Sequence, residues 1–225
     1  MGDLGSSLSK ASDRTKGIAG IALVAAILFI WGELADIYWL RMITKPVPVL
    51  CMAYWVSTLR VRRSYQLAVA IGLLLSAAGD ILLEIGPATF LLGLVAFLLG
   101  HVAYIVAFTR DSRALFLVRA ALAYAYAAAM YGVLFLAGDL AAMAIPVLLY
   151  TLVISTMLWR AAARVGAPAV LQGSAWTGLA GALLFTASDS LLALNMFVAP
   201  IPLASLLIII TYWLGQLGIA RSAWR

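Results

Sequence analysis

Charge is scarce in this 225-residue chain: 11% of residues are Asp, Glu, Lys or Arg, whereas 65% are hydrophobic. A soluble domain carries about 25% charged residues. With a mean hydropathy of +1.08, a soluble enzyme is excluded and a polytopic membrane protein is indicated. Cysteine occurs once, at Cys51, so no intramolecular disulfide can form and a thiolate metal site has no basis. Histidine also occurs once, at His101, which excludes a multi-histidine metal centre within one chain. There is no Gly-x-Ser-x-Gly elbow and no histidine beside a serine motif, against a serine lipase. The first apolar run ends in Trp31-Gly32-Glu33 with no small-x-small cleavage site, so an uncleaved first span is expected.

What the chain has is apolar length. Windows of about 20 apolar residues place eight membrane spans near residues 17–35, 44–59, 65–85, 87–109, 115–137, 139–160, 169–195 and 201–220. Residues 1–16 are polar and Ser-rich, and Met1-Gly2 with Ser6 formally fits a myristoylation pattern. The second span is short and opens on Pro46 and Pro48, tolerated in a first helical turn because the missing N–H has no helical partner there. The expected fold class is all-α: one integral membrane domain over 1–225, with a polar tail and two four-helix parts, 17–110 and 111–225. Tryptophans and methionines away from the motifs below are expected to face lipid or the interface.

With eight spans, Lys10, Arg14, Lys16, Arg60, Arg62, Arg63, Arg110, Arg113, Arg119, Arg160, Arg164, Arg221 and Arg225 share one side. That is 13 of the 15 basic residues, clustered between apolar runs as positive-inside topology requires rather than along one face as for nucleic acid. Both termini are therefore expected in the cytoplasm, and the location expected is a bacterial inner membrane. Arg41 and Lys45 fall on the other side, after Glu33 and Asp36, and so do the span ends carrying Asp80, Glu84, Asp189 and Asn195. A polar loop rim suffices for Glu33 and Asp36. It does not account for Asp80 and Asp189, each roughly 8–9 Å below that surface at helical rise. An aspartate in hydrocarbon costs at least ~2.5–3.5 kcal/mol on insertion scales, so two at equal depth on different helices read as a matched pair.

An internal repeat supports the pairing. Pro48-Val49-Leu50, Ser57-Thr58-Leu59 and Arg62 match Pro146-Val147-Leu148, Ser155-Thr156-Met157 and Arg160 at a constant offset of 98. Gly79-Asp80-Ile81-Leu82-Leu83 echoes Ser188-Asp189-Ser190-Leu191-Leu192 at 109. Four helices per part make this a parallel duplication about an axis along the membrane normal, with Asp80 and Asp189 equivalent.

Two carboxylates in low dielectric do not both ionise readily, so the protonated one can act as general acid and the other as general base. The alternative is a pair of packing aspartates satisfied by Ser, Thr or backbone groups. Lys45 and Arg41 suit a phosphate head group, or else snorkel to the interface. His101 lies roughly 20 Å from the outer end of its span, deeper than the aspartates and expected at a cavity floor, as a proton relay or a structural side chain. Tyr104 lies one turn on from it, and Tyr212 and Gln216, four apart, share a face.

Lys45-Pro46-Val47-Pro48, Gly79-Asp80, Gly100-His101-Val102-Ala103-Tyr104, the run Ser188 to Asn195, and Tyr212 to Gln216 follow in order along nearly the whole chain. Together they closely resemble the YhhN-like family of lysoplasmalogenases, eight-helix integral membrane hydrolases. The resemblance implies cleavage of the vinyl-ether bond of lysoplasmalogens to a fatty aldehyde and a glycerophospho-ethanolamine or -choline. It implies Asp80 and Asp189 as catalytic carboxylates with neither metal nor cofactor. Lys45, His101, Tyr104, Ser190, Asn195, Tyr212 and Gln216 are the expected substrate-binding residues, and the partner is a lysophospholipid entering from the bilayer. Glu33, Asp36, Arg41 and Glu84 match no family motif.

Such a substrate suits an acid pair. A vinyl ether resists acyl-transfer nucleophiles but is acid-labile: protonation of its β-carbon gives an oxocarbenium ion that water attacks, and the hemiacetal collapses. An intramembrane aspartyl protease also uses two aspartates, but Ala77-Ala78-Gly79-Asp80 lacks the Gly-x-Gly-Asp of that class. A small transporter carrying protons on Asp80 and Asp189 is a second alternative, and another intramembrane lipid hydrolase a third.

Overall fold

The computed structural model describes the backbone of residues 2–59 and 62–224, with side chains from residue 13 onward. Lys10, Arg60, Arg225 and the myristoylation pattern at Met1, Gly2 and Ser6 lie outside the described residues or side chains. The chain is helical: α1 (Gly2–Leu34), α2 (Tyr38–Thr44), α3 (Val47–Thr58), α4 (Arg63–Ile85), α5 (Phe90–Asp111), α6 (Leu117–Ala137), α7 (Ala144–Ala162), α8 (Gln172–Phe197) and α9 (Ala204–Arg221). Short 3₁₀ turns at Pro87–Thr89 and Ala141–Met143 lead into α5 and α7.

Among the described residues, seven helices are long and apolar enough to cross a bilayer. The eighth expected span is α3, whose 12 residues reach only about 18 Å at helical rise. It is nevertheless an inner element. Val49 and Val56 are fully buried, and α3 packs on α1, α4 and α9. Proline explains the shortness: α2 stops at Thr44 and the chain turns at Lys45-Pro46, with Pro48 in the first turn of α3. A second departure is at the N-terminus, where α1 runs from Gly2 through the polar stretch; no proline interrupts it, and extending a helix costs less than nucleating one.

The most extensive packing joins α4 to α5 and α8 to α9. Glycine allows both. A Cβ at Gly181 would lie 2.5 Å from the Ile219 nitrogen, and one at Gly79 would lie 2.6 Å from the Phe97 ring. Close backbone approach of this kind is how membrane helices associate without a hydrophobic drive between them. Two residues inside the motif runs are buried: Met157 is fully buried, and Trp213 is buried with its ring 5.5 Å from Phe29. Both sit on helix faces turned to neighbours, which composition does not reveal.

One end of the bundle is closed by arginine. Arg62 before α4 and Arg164 after α7 share Asp111 at the end of α5, at 2.7 and 2.8 Å. Both guanidiniums also reach Ser174 in α8, and Arg62 reaches the Ser222 carbonyl after α9. Arg119 caps the Ala162 and Val165 carbonyls, and Arg160 does the same for Ser112 and Ala114. These arginines, expected at one end from the charge pattern, are consumed by helix ends left with unpaired carbonyls.

Candidate active site

At the other end a cavity opens between α4, α5, α6, α7, α8 and α9. Lys45, Asp80, Tyr126, Tyr150, Thr151, Thr186, Asp189, Ser190 and Tyr212 supply its polar side chains, and Leu83, Leu94, Met130, Leu134 and Ile208 are among its apolar walls. Its volume is about 140 Å³, and one water needs roughly 10–15 Å³ on the same basis, so the cavity has room for several waters.

Asp80 is placed by the buried stripe of α4, Leu73, Ser76, Ala77 and Asp80, which recurs at helical spacing toward the neighbouring helices. It is 2% exposed and accepts a hydrogen bond at 2.8 Å from the hydroxyl of Tyr212, across from α9. Asp189 belongs to α8, is 15% exposed at its side chain, and accepts a 2.5 Å hydrogen bond from the hydroxyl of Tyr150 on α7. Each carboxylate thus has a phenol from another helix. Next to Asp189, Ser188 donates to the Ile208 carbonyl at 2.9 Å and pins α8 to α9.

The expected substrate residues divide. Lys45, Ser190 and Tyr212 lie in the cavity wall with both aspartates; Ser190 also bonds the Tyr126 hydroxyl. His101, Tyr104, Asn195 and Gln216 lie outside it. His101 is fully buried behind Asp189, with Nε2 3.7 Å from the carboxylate and its ring 4.6 Å from Phe185 and 5.3 Å from Tyr150. It therefore packs against Asp189 from outside the cavity lining rather than forming its floor. Tyr104 donates to Gln216 Oε1 at 2.7 Å, and Asn195 accepts from the Ile201 nitrogen at 2.8 Å, holding the α8–α9 turn. Among the described residues, Ser76 Oγ, Gln216 Nε2 and both His101 nitrogens lie buried without a well-formed hydrogen bond. Phe185, fully buried, separates the two acids' partners, 5.3 Å from Tyr212 and 4.6 Å from His101.

Tyr150 and Tyr126 escaped sequence reasoning. The available signal was a tyrosine in the middle of each of two apolar runs, which by itself does not tell a cavity wall from a lipid face. Glu84 was also missed as a partner. It takes Lys45 Nζ and Arg41 Nε at 2.9 Å each, so neither cation projects freely from the interface. Hydrogen bonds to Asp36 and then to Glu84 push the Arg41 guanidinium above its already high ordinary range. Among the described residues, no group of three or more His, Cys, Asp or Glu side chains is placed to hold a metal ion.

A helical membrane bundle enclosing a cavity with two carboxylates, each held by a tyrosine, defines a multi-pass membrane protein with an intramembrane acid pair. The chain belongs to the YhhN family, whose pattern matches residues 40–223. It is 35% identical over 218 residues to lysoplasmalogenase TMEM86B of Homo sapiens, covering 95% of this chain and 88% of that protein. It is 35% identical over 190 residues to lysoplasmalogenase TMEM86B of Sus scrofa, covering 82% of this chain and 75% of that protein. To lysoplasmalogenase TMEM86A of Homo sapiens it is 33% identical over 208 residues, covering 86% and 82%. No solved structure matches.

Proposed function

We propose that this protein hydrolyses the vinyl-ether bond of lysoplasmalogens, releasing a fatty aldehyde and a glycerophospho-ethanolamine or -choline. The observation that carries the reading is the cavity shared by Asp80 and Asp189, in a chain similar over most of its length to proteins named lysoplasmalogenases. Asp80, almost wholly buried with one neutral donor, suits the protonated partner, because a buried charge with so little compensation is costly. Asp189, more exposed and close to both Tyr150 and His101, suits the carboxylate.

In this mechanism the Asp80 carboxyl protonates the β-carbon of the vinyl ether, and the α-carbon becomes an oxocarbenium ion. Asp189 takes a proton from the water that attacks it, giving a hemiacetal. Asp189 then returns that proton to the departing glycerol oxygen while the hemiacetal hydroxyl gives its proton to Asp80, restoring both groups. Tyr150 and Tyr212 hold the carboxylates in position throughout.

The arginine-closed end speaks for this reading over a transporter, which needs its acids reachable from both sides. By the positive-inside rule that end faces the cytoplasm, with both termini. The packing supports a parallel duplication of 17–110 and 111–225: α4 on α5 answers to α8 on α9, and Asp80 meets α9 as Asp189 meets α5. The test is aldehyde release from lysoplasmalogen by purified protein in detergent. Asp80→Asn and Asp189→Asn are each expected to abolish it while the protein stays folded; turnover retained in either overturns the acid pair.

A further inference from the structure

The charged cluster at the outer end of α4 plays no part in the chemistry above, yet it touches the same cavity. Glu84 lies four residues beyond Asp80, on the same face of α4 and about 6 Å along its axis. Both of its oxygens are gripped: Lys45 Nζ donates to Oε2 and Arg41 Nε donates to Oε1, each at 2.9 Å. The three side chains are mostly buried, at 12% exposure for Glu84 and 18% for each cation, and Lys45 lines the cavity with Asp80. Two cationic donors on two oxygens of one anion is the arrangement in which these side chains take a phosphate.

The spacing fits as well. In an alkenyl glycerophospholipid about seven bonds separate the β-carbon that Asp80 protonates from phosphorus, a reach of roughly 9 Å extended and less with a bend in the glycerol, which covers the axial distance to Glu84. A vinyl ether at Asp80 therefore brings the phosphate of its own glycerol to the level of Glu84. On the far side of Arg41, Asp36 holds its guanidinium at 2.8 Å and Glu33 lies at 3.6 Å, so Arg41 keeps its place without Glu84.

We propose that Arg41 and Lys45 form a subsite for the glycerol-linked phosphate of the substrate, and that Glu84 is an internal competitor which the phosphate displaces. This subsite rests on the lysoplasmalogen reading for its substrate, but it makes a separate demand. Affinity depends on a phosphate one glycerol away from the reacting bond, and Glu84 opposes that affinity.

The test uses lipids that cannot be cleaved: a saturated alkyl-glycerophosphocholine and the matching alkylglycerol, titrated against the purified full-length protein in detergent. Lys45→Met is expected to weaken the phosphate-bearing lipid about tenfold or more, the scale of one charged hydrogen bond, and to leave the alkylglycerol unchanged. Glu84→Gln is expected to tighten the phosphate-bearing lipid several-fold and also to leave the alkylglycerol unchanged. Should Glu84→Gln not fold, Glu84→Asp, which draws the carboxylate back by one methylene, tests the same sign. Weaker binding of both lipids in the Glu84 variant makes it a builder of the site and overturns the competition. Equal loss for both lipids in Lys45→Met overturns the phosphate subsite. Neither lipid carries a vinyl ether, so these outcomes stand apart from whether the protein releases aldehyde.

Discussion

Tyr212 of α9 donates its hydroxyl proton to Asp80 of α4 at 2.8 Å, joining residues 132 apart in the chain. Tyr150 does the same for Asp189 at 2.5 Å. The acids are thus aimed by helices other than their own, and their geometry depends on packing as much as on their positions in sequence. A phenol suits this task because it donates one hydrogen bond and brings no charge of its own into the bilayer.

Removing either phenol leaves its carboxyl in place but free to rotate. Tyr150→Phe and Tyr212→Phe are each expected to lower kcat for aldehyde release about tenfold, one hydrogen bond being worth roughly 0.5–1.5 kcal/mol to a neutral carboxyl and 1.5–3 kcal/mol to a charged one. KM is expected to stay within about twofold, because neither hydroxyl is asked to hold the lipid. A rise in KM with kcat unchanged makes the tyrosines lipid contacts instead.

The arginine cluster gives a stability prediction remote from the chemistry. Asp111→Asn leaves Arg62 and Arg164 buried at 13% and 0% exposure without their shared anion. Breaking such a pair costs about 3–5 kcal/mol, and for a chain of this size each kcal/mol lowers the melting temperature by roughly 2–4 °C. A clear drop in the melting temperature in detergent, with kcat per folded molecule unchanged, is the expected result.

Helix contact at α8 and α9 is tested at Gly181, with Gly132 of α6 as the control. At Gly181 an added methyl meets the Ile219 nitrogen at 2.5 Å and the Gly215 carbonyl at 2.6 Å. Both are backbone and cannot swing away, so Gly181→Ala is expected to cost about 1–3 kcal/mol. Aldehyde release falls with it, because Asp189 and Tyr212 ride on these two helices. At Gly132 nothing lies within 4 Å, and Gly132→Ala is expected to be neutral or to gain up to about 1 kcal/mol. Equal unfolding curves for the two variants contradict the close approach.

Asn195 offers a check on a residue expected to bind substrate. Its side-chain oxygen accepts from the Ile201 nitrogen at 2.8 Å. Asn195→Ala is therefore expected to cost about 1 kcal/mol of stability and to leave KM for lysoplasmalogen unchanged. A several-fold rise in KM returns Asn195 to the lipid site.

Most of the helices were legible because a membrane span has to be long and apolar, and because every such run here ends near a charged or turn-forming stretch. Observed ends fall within a few residues of those expected for α4 through α9. The interruption at Lys45-Pro46 was partly legible, since proline marks the break but does not say that a separate short helix, α2, precedes it. The sequence alone leaves Lys45 a phosphate ligand or a snorkelling side chain, because its partner, Glu84, is 39 residues away on another helix. Tyr150 gave no signal for a related reason. Hydropathy reports whether a helix crosses, not which of its faces meets a neighbour.

The sequence by itself determined the class of the protein, its long apolar helices, the end of the bundle that gathers arginine, and the two aspartates worth explaining. Each follows from a cost that is local to a residue: exposing apolar surface to water, or placing charge in hydrocarbon. Only the tertiary structure decided that Asp80 and Asp189 line one cavity, that Tyr212 and Tyr150 hold them, that His101 stands behind Asp189, and that Arg41, Lys45 and Glu84 form one cluster. These pairings depend on which helix faces meet, which is set by the packing of glycines and aromatic rings across helices far apart in the chain.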